Sequence, residues 1–199
     1  MLLAHSDRRC VTSSFRQRAQ EESVGRTAVI EDVQGHGSST GNRSQLLGSA
    51  PGCDGIAMIL LDVNILVSAH RADADRHCEI KSWLEVALSD PPGVAVSELA
   101  LSGCLRVITH PKIFKKPTPL THALDFLEDF RSREEVHLLG PGAGHWEIFA
   151  DLCRRSDARG NLVPDAFHAA LAIELGCEWV TLDRGFARFP GLKWRHPLD

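Results

Sequence analysis

No excess of basic residues marks this chain: 22 Lys and Arg stand against 26 Asp and Glu, a formal net charge of −4. A generic polyanion-binding face needs a basic surplus, so any nucleic-acid contact has to come from local patches. No stretch approaches the roughly 18 apolar residues of a membrane span. The opening Met1-Leu-Leu-Ala-His-Ser-Asp-Arg-Arg9 turns polar too soon to form a signal-peptide core. The six cysteines, at 10, 53, 78, 104, 153 and 177, make no CxxC pair and no zinc-finger spacing. They suit a reducing cytoplasm, and Cys104, Cys153 and Cys177, which fall in apolar helical patterns, are expected as buried thiols. HExxH, the P-loop signature and GxGxxG after a strand are all missing, as is any internal repeat.

Aromatic residues are nearly missing from the first 57 positions, where Phe15 is the only one. From Gly35 to Ala57 six glycines stand among Ser, Thr and Asn. Such a composition buries too little to offset chain entropy, so residues 1–57 are expected to form a disordered extension, with Met58 as the natural start. Residues 58–199 hold all four Trp and seven of the eight Phe, and one core is expected there. Deleting residues 1–57 should accordingly leave activity and melting temperature nearly unchanged, and a large fall in either would show that the segment docks.

The second segment alternates strand and helix signals. Ile59–Val63 reads as a buried strand, and Ile80, Trp83, Leu84, Ala87 and Leu88 form the stripe of an amphipathic helix that stops at Pro91-Pro-Gly93. Val94–Val96 reads as a short strand. Ser97 is a suitable N-cap for a helix running to about Ile108, with Glu98 in its first turn. A basic loop from Pro111 to Pro119 leads to a helix over Thr121–Arg131, a strand over Val136–Leu139, and a helix over Trp146–Arg155 with Trp146, Phe149, Ala150 and Cys153 on one face. Pro164 suits the first turn of a further helix, which Gly176 ends. This alternation predicts an α/β sandwich, a mostly parallel central sheet flanked by helices.

Against that frame four carboxylates stand out: Asp62 follows Ile59-Leu-Leu61 within Met58-Ile-Leu-Leu-Asp-Val-Asn64, Glu98 follows Val94-Ala-Val-Ser97, Asp165 follows Val163-Pro164, and Asp183 closes Trp179-Val-Thr-Leu-Asp183. If the strands are parallel neighbours, all four converge at the carboxyl end of the sheet, where open α/β sheets place their ligand sites. Two like charges about 4 Å apart repel by roughly 4 kcal/mol at an effective dielectric near 20. Either some of these carboxyls hold protons, or a hard divalent cation takes them as oxygen ligands. Mg²⁺ and Mn²⁺ suit such a set and promote in-line displacement at phosphorus, so the pattern reads as a metal-dependent phosphodiesterase site.

From Met58 onward the chain also resembles the PIN-domain ribonucleases, and more closely the VapC-type toxins of bacterial toxin–antitoxin pairs. The matching pieces are Leu60-Leu-Asp-Val-Asn64, Ser97-Glu-Leu99, Asn161-Leu-Val-Pro-Asp-Ala-Phe-His-Ala-Ala-Leu-Ala172 and Thr181-Leu-Asp-Arg-Gly-Phe-Ala-Arg-Phe189, with 36, 67 and 18 positions separating the successive acids. The resemblance implies a PIN-like three-layer sandwich and a Mg²⁺- or Mn²⁺-dependent endoribonuclease, inhibited by a small VapB-like antitoxin and forming a homodimer. Asp62, Asp165 and Asp183 would be metal ligands, and Glu98 would orient or deprotonate the attacking water.

Asn64 and Thr181 lie two positions from Asp62 and Asp183, placed to hydrogen-bond a metal-bound water, to fix the carboxylates or, for Asn64, to cap the next helix. His168, one turn past Asp165, is a cleft candidate whose ordinary reading is a partly exposed helix residue. Arg106, His110, Lys112, Lys115 and Lys116 surround Phe114 in a basic patch suited to phosphates and one stacked base, and Arg184 and Arg188 flank Asp183. Arg106, Lys112, Arg184 and Arg188 are the candidate RNA contacts. Two other readings keep the fold: an RNA-processing or structured-DNA nuclease outside a toxin system, and a non-catalytic RNA-binding module.

Overall fold

The computed structural model describes residues 58–199, so the expectations for residues 1–57 lie outside the described residues. In chain order the elements are β1 (Ile59–Leu61), α1 (Val63–His70), α2 (His77–Ser89), β2 (Val94–Ser97), α3 (Glu98–Ile108), α4 (Leu120–Arg131), β3 (Val136–Leu139), α5 (His145–Ser156), α6 (Leu162–Leu175), β4 (Glu178–Val180), a 3₁₀ turn (Arg184–Arg188) and β5 (Trp194–Arg195). The five strands form one sheet in the order β3-β2-β1-β4-β5, and every pairing is parallel.

Alternation along the strands sorts the core into two layers. Leu61, Val94, Val96, Val136 and Val180 face α1 to α4, packing with Ile65, Ile80, Leu84, Cys104, Ile108 and Phe130. Leu60, Ala95 and Trp179 face the opposite way, against Leu152 of α5 and Ala166, Ala169 and Ala170 of α6. Helices thus cover both faces, as parallel sheets require. Gly176 ends α6 at φ 67°, a left-handed cap that costs glycine little. Gly93 enters β2 at φ +86°, where a Cβ would stand 2.2 Å from Glu135 O, so no larger residue fits.

Three local expectations need correction. The first strand ends at Leu61, and Val63 already begins α1. The run Ile-Leu-Leu-Asp-Val-Asn-Ile-Leu-Val is apolar throughout, and such runs do not separate a buried strand from a buried helix. On α5 the buried residues are His145 and Leu152, whereas Trp146 is 68% exposed. The His145 ring enters the interior because its Nε2 bonds Phe167 O at 3.1 Å, and it packs against the Phe167 ring at 4.2 Å. Of the three cysteines expected to be buried, Cys104 and Cys177 are, and Cys153 is half-buried. Burial pushes the Cys104 thiol up to about 12, which leaves it inert.

Strand order fixes where a site can form. Strand β1 pairs with β2 on one side and β4 on the other, so the chain's progression across the sheet reverses at β1. A crevice opens at such a point beyond the carboxyl ends. Asp62 follows β1 directly, and Thr181 and Asp183 follow β4.

Candidate active site

The carboxyl end of β1 is tied to that of β4 through side chains. Thr181, fully buried, donates its hydroxyl to Asp62 Oδ2 at 2.5 Å. Asn64 Nδ2 donates to the same oxygen at 2.7 Å and to Thr181 Oγ1 at 3.0 Å. Asn64 Oδ1 accepts the Leu182 N–H at 3.0 Å, and Thr181 Oγ1 accepts the Asp183 N–H at 2.9 Å. The Asp62 N–H reaches Val180 O at 3.0 Å. Asn64 sits inside α1 and fixes the carboxylate; the N-cap position of α1 belongs to Asp62, whose side chain makes no capping bond. Every member of this network has a partner, which makes it rigid.

Asp62 is 5% exposed. Burial pushes its carboxyl up to about 6, against the hydrogen bonds from Thr181 and the Val63 backbone, and Asp165 and Asp183 add to the rise through space. Asp165, half-buried in the first turn of α6, is also raised, by its own burial and by Asp183, with Arg188 opposing. Asp183 is exposed and caps the 3₁₀ turn, its Oδ1 accepting the Gly185 N–H at 2.7 Å. Three carboxyls therefore act on one another electrostatically.

Asp62, Asn64, Asp165 and Asp183 line one cleft of about 530 Å³, and Arg106 and His168 line it as well. Glu98 stands apart. It occupies the first turn of α3 behind the Ser97 cap, whose Oγ accepts the Ala100 N–H at 3.1 Å. Its exposed side chain lines an adjoining apolar groove of about 310 Å³ with Leu138, Leu139 and Phe167, and Leu99 borders both cavities. Among the described residues no group of three or more His, Cys, Asp and Glu side chains is drawn together closely enough to hold a metal ion. The acids share a cleft without forming a closed cage.

The basic candidates divide. Arg106 lines the cleft, and Arg188 shares a small recess with Asp165 and Asp183 while its Nε donates to Gly185 O at 2.9 Å. Arg184 pairs with Asp199 at 2.6 Å, and Lys112 lies on the loop after α3, outside the cleft lining. The ring of Phe114 lies under the Arg71 guanidinium at 4.1 Å, and Arg71 also holds Lys116 O and Thr118 Oγ1. One face of Phe114 is thus already covered, so a base could stack only on the other. Two polar residues of the cleft, Ser102 and Asn161, were not among the candidate site residues. Asn161 precedes α6 at its N-cap yet makes no capping bond, and its position ahead of Leu162-Val-Pro-Asp165 was the available signal.

Comparison with known proteins gives a consistent picture. Residues 59–192 match the PIN domain. The chain is 39% identical over 142 residues to VapC ribonuclease Mb2897 of Mycobacterium bovis, a match covering 71% of this chain and 97% of that protein. It is 36% identical over 140 residues to ribonuclease VapC25 of Mycobacterium tuberculosis, covering 70% and 99%. Among solved structures it is similar to VapBC2 from Rickettsia felis bound to a promoter DNA fragment, with TM-score 0.54 and 20% identity over 70% of this chain and 98% of that one. It is also similar to DNA-bound VapBC from Salmonella typhimurium, with TM-score 0.52 and 21% identity over 71% and 99%.

Proposed function

The chain belongs to the PIN-domain family, and on that footing we propose that it is an endoribonuclease of the VapC kind, the toxin of a toxin–antitoxin pair, working with Mg²⁺ or Mn²⁺. The observation that carries the metal reading is the buried Asp62 carboxyl, pushed up to about 6 in a cleft it shares with Asp165 and Asp183. An oxygen-only set at the sheet's switch point suits a hard cation.

Asp62, Asp165 and Asp183 would hold the ion, directly or through water. When bound, it offsets negative charge developing on the phosphoryl group and makes water a competent nucleophile near neutral pH. Thr181 and Asn64 both bond Asp62 Oδ2, so they fix the plane of the carboxyl and leave Oδ1 without a side-chain partner. Arg106 and Arg188 stand at the edges of the acidic region and would hold phosphates on either side of the scissile bond. Glu98, exposed in the first turn of α3 next to Leu99, which borders both cavities, would reach past it into the cleft to orient the attacking water.

A thermal-shift titration without RNA tests the metal set. An ion that binds only the folded chain stabilises by about 2.7 kcal/mol at 100 times its Kd. Mg²⁺ should therefore raise the melting temperature of the wild type and fail to do so for Asp165→Asn. Equal shifts in both would remove Asp165 from the ion's ligands.

The partner would be a VapB-like antitoxin acting on a cytoplasmic homodimer. No helix among the described residues is long and apolar enough to cross a membrane. An antitoxin segment with an apolar face would lie along the groove beside Leu99, Leu138 and Phe167. An Arg from it would enter the acidic cleft, where carboxylates accept a guanidinium in charge-assisted bonds. The antitoxin should lose affinity when that Arg becomes Ala, and lose some when Mg²⁺ is raised. Affinity indifferent to both changes would put inhibition away from the acids.

A further inference from the structure

We propose that His168 is a neutral hydrogen-bond donor of the cleft, its Nε2–H directed at a phosphoryl oxygen of the RNA held against the carboxylates. The proposal rests on the ribonuclease reading above and adds a residue to it. His168 lies three positions after Asp165 on α6, hence on the same helix face, and lines the cleft that contains Asp62, Asp165 and Asp183. It is 4% exposed. Its ring stacks on Trp179 with centroids 5.2 Å apart and planes 23° apart, which fixes its orientation.

The tautomer follows from what surrounds the ring. Nδ1 is buried without a hydrogen-bond partner, and the other buried side-chain polar atom in that condition among the described residues is Nε1 of the same Trp179. Indole N–H only donates. A proton on Nδ1 would add a second buried donor without an acceptor, a costlier orphan than an unmet lone pair. Nε2 is not among the buried orphans, and the cleft is where the ring meets solvent. A proton on Nε2 can be met by water or substrate in the cleft, which one on Nδ1 cannot. Burial and nearby His145 also hold the ring below its ordinary value, at about 4, so it stays uncharged.

Neutrality suits the task. A buried imidazolium would put a charge in the cleft that a cation held by Asp165 and Asp183 would repel. A neutral donor leaves the carboxylates free and still offers a fixed bond to substrate. Together with Arg106 it gives an acidic cleft the means to hold an anionic phosphodiester.

Three full-length proteins test this: wild type, His168→Phe and His168→Gln, assayed for kcat and KM on RNA with Mg²⁺ and for melting temperature. Phe keeps a ring against Trp179 and removes the donor; Gln places an amide N–H near the position of Nε2. We expect His168→Phe to lower kcat about 100- to 1000-fold with KM changed less than about threefold, a loss in line with removal of one transition-state donor. Its melting temperature should be unchanged or higher, because an orphaned polar atom is gone. His168→Gln should recover most of the rate. Cleavage by His168→Phe at the wild-type rate would overturn the proposal, as would losses in both variants that track a fall in melting temperature. If the wild type does not cleave RNA, or Asp165→Asn cleaves as well as it does, the ribonuclease reading has failed. The tautomer remains testable then: ¹⁵N–¹H spectra of the imidazole at pH 7 should show its proton on Nε2, and a proton on Nδ1 or a doubly protonated ring would overturn the assignment.

Discussion

Asp62→Asn is expected to abolish RNA cleavage, by at least about 10²- to 10³-fold in kcat/KM, while making the metal-free protein more stable. The two effects share a cause. Asp62 is buried, and burial with the two neighbouring acids pushes its carboxyl from 3.8 to about 6. A native pKa above the unfolded value means that the folded state binds the proton more tightly. Ionising Asp62 therefore costs stability, nothing below pH 4 and increasingly as the pH rises through 6. A rise of about two units corresponds to about 3 kcal/mol, as an order of magnitude. Asn keeps the shape, and its carbonyl oxygen accepts from Thr181 and Asn64 as Oδ2 does, but it carries no charge. The gain in melting temperature over wild type should be largest at pH 7 to 8 and vanish near pH 4. A gain independent of pH would show that the charge of Asp62 is not its source.

Trp179→Ala should be the most damaging single change to the fold, at about 3 to 5 kcal/mol. Trp179 is fully buried in β4, paired with Leu60 of β1, and its ring lies between His168 of α6 and Phe186 of the 3₁₀ turn. Its removal opens a cavity beneath both elements that carry Asp165 and Asp183. Urea denaturation checks the prediction, and activity should fall in the fraction that stays folded. A loss under about 1 kcal/mol would mean that the small residues of α6 collapse onto the sheet and fill the space.

The sequence showed its acids because apolar strands delivered charge where a buried strand has no use for it. Asp62 and Asp183 were legible at strand ends, and Asp165 behind Pro164. The separation of Glu98 into an adjoining groove was not legible, since first-turn position says nothing about which cavity a side chain enters. The lock of Asn64 and Thr181 on Asp62 was half legible. Spacing put each near an acid, but the pairing of Leu61 with Val180 comes from a crossover that leaves no local mark. Helix α1 was hidden in a run apolar enough for either structure. His168 was underrated for a similar reason: helical spacing put it near Asp165, while its burial depends on Trp179, eleven positions along and on another element.

The central claim, that carboxylates at the β1/β4 switch point cleave RNA with a divalent cation, is tested most directly by the purified full-length protein on a defined RNA. Mg²⁺, Mn²⁺ and EDTA would be compared, with Asp62→Asn alongside. Internal cleavage should require Mg²⁺ or Mn²⁺, stop with EDTA and be lost in Asp62→Asn. Because water is the nucleophile, the products should carry no 2′,3′-cyclic phosphate. Cleavage that persists in EDTA, ends in a cyclic phosphate or survives Asp62→Asn would contradict the account.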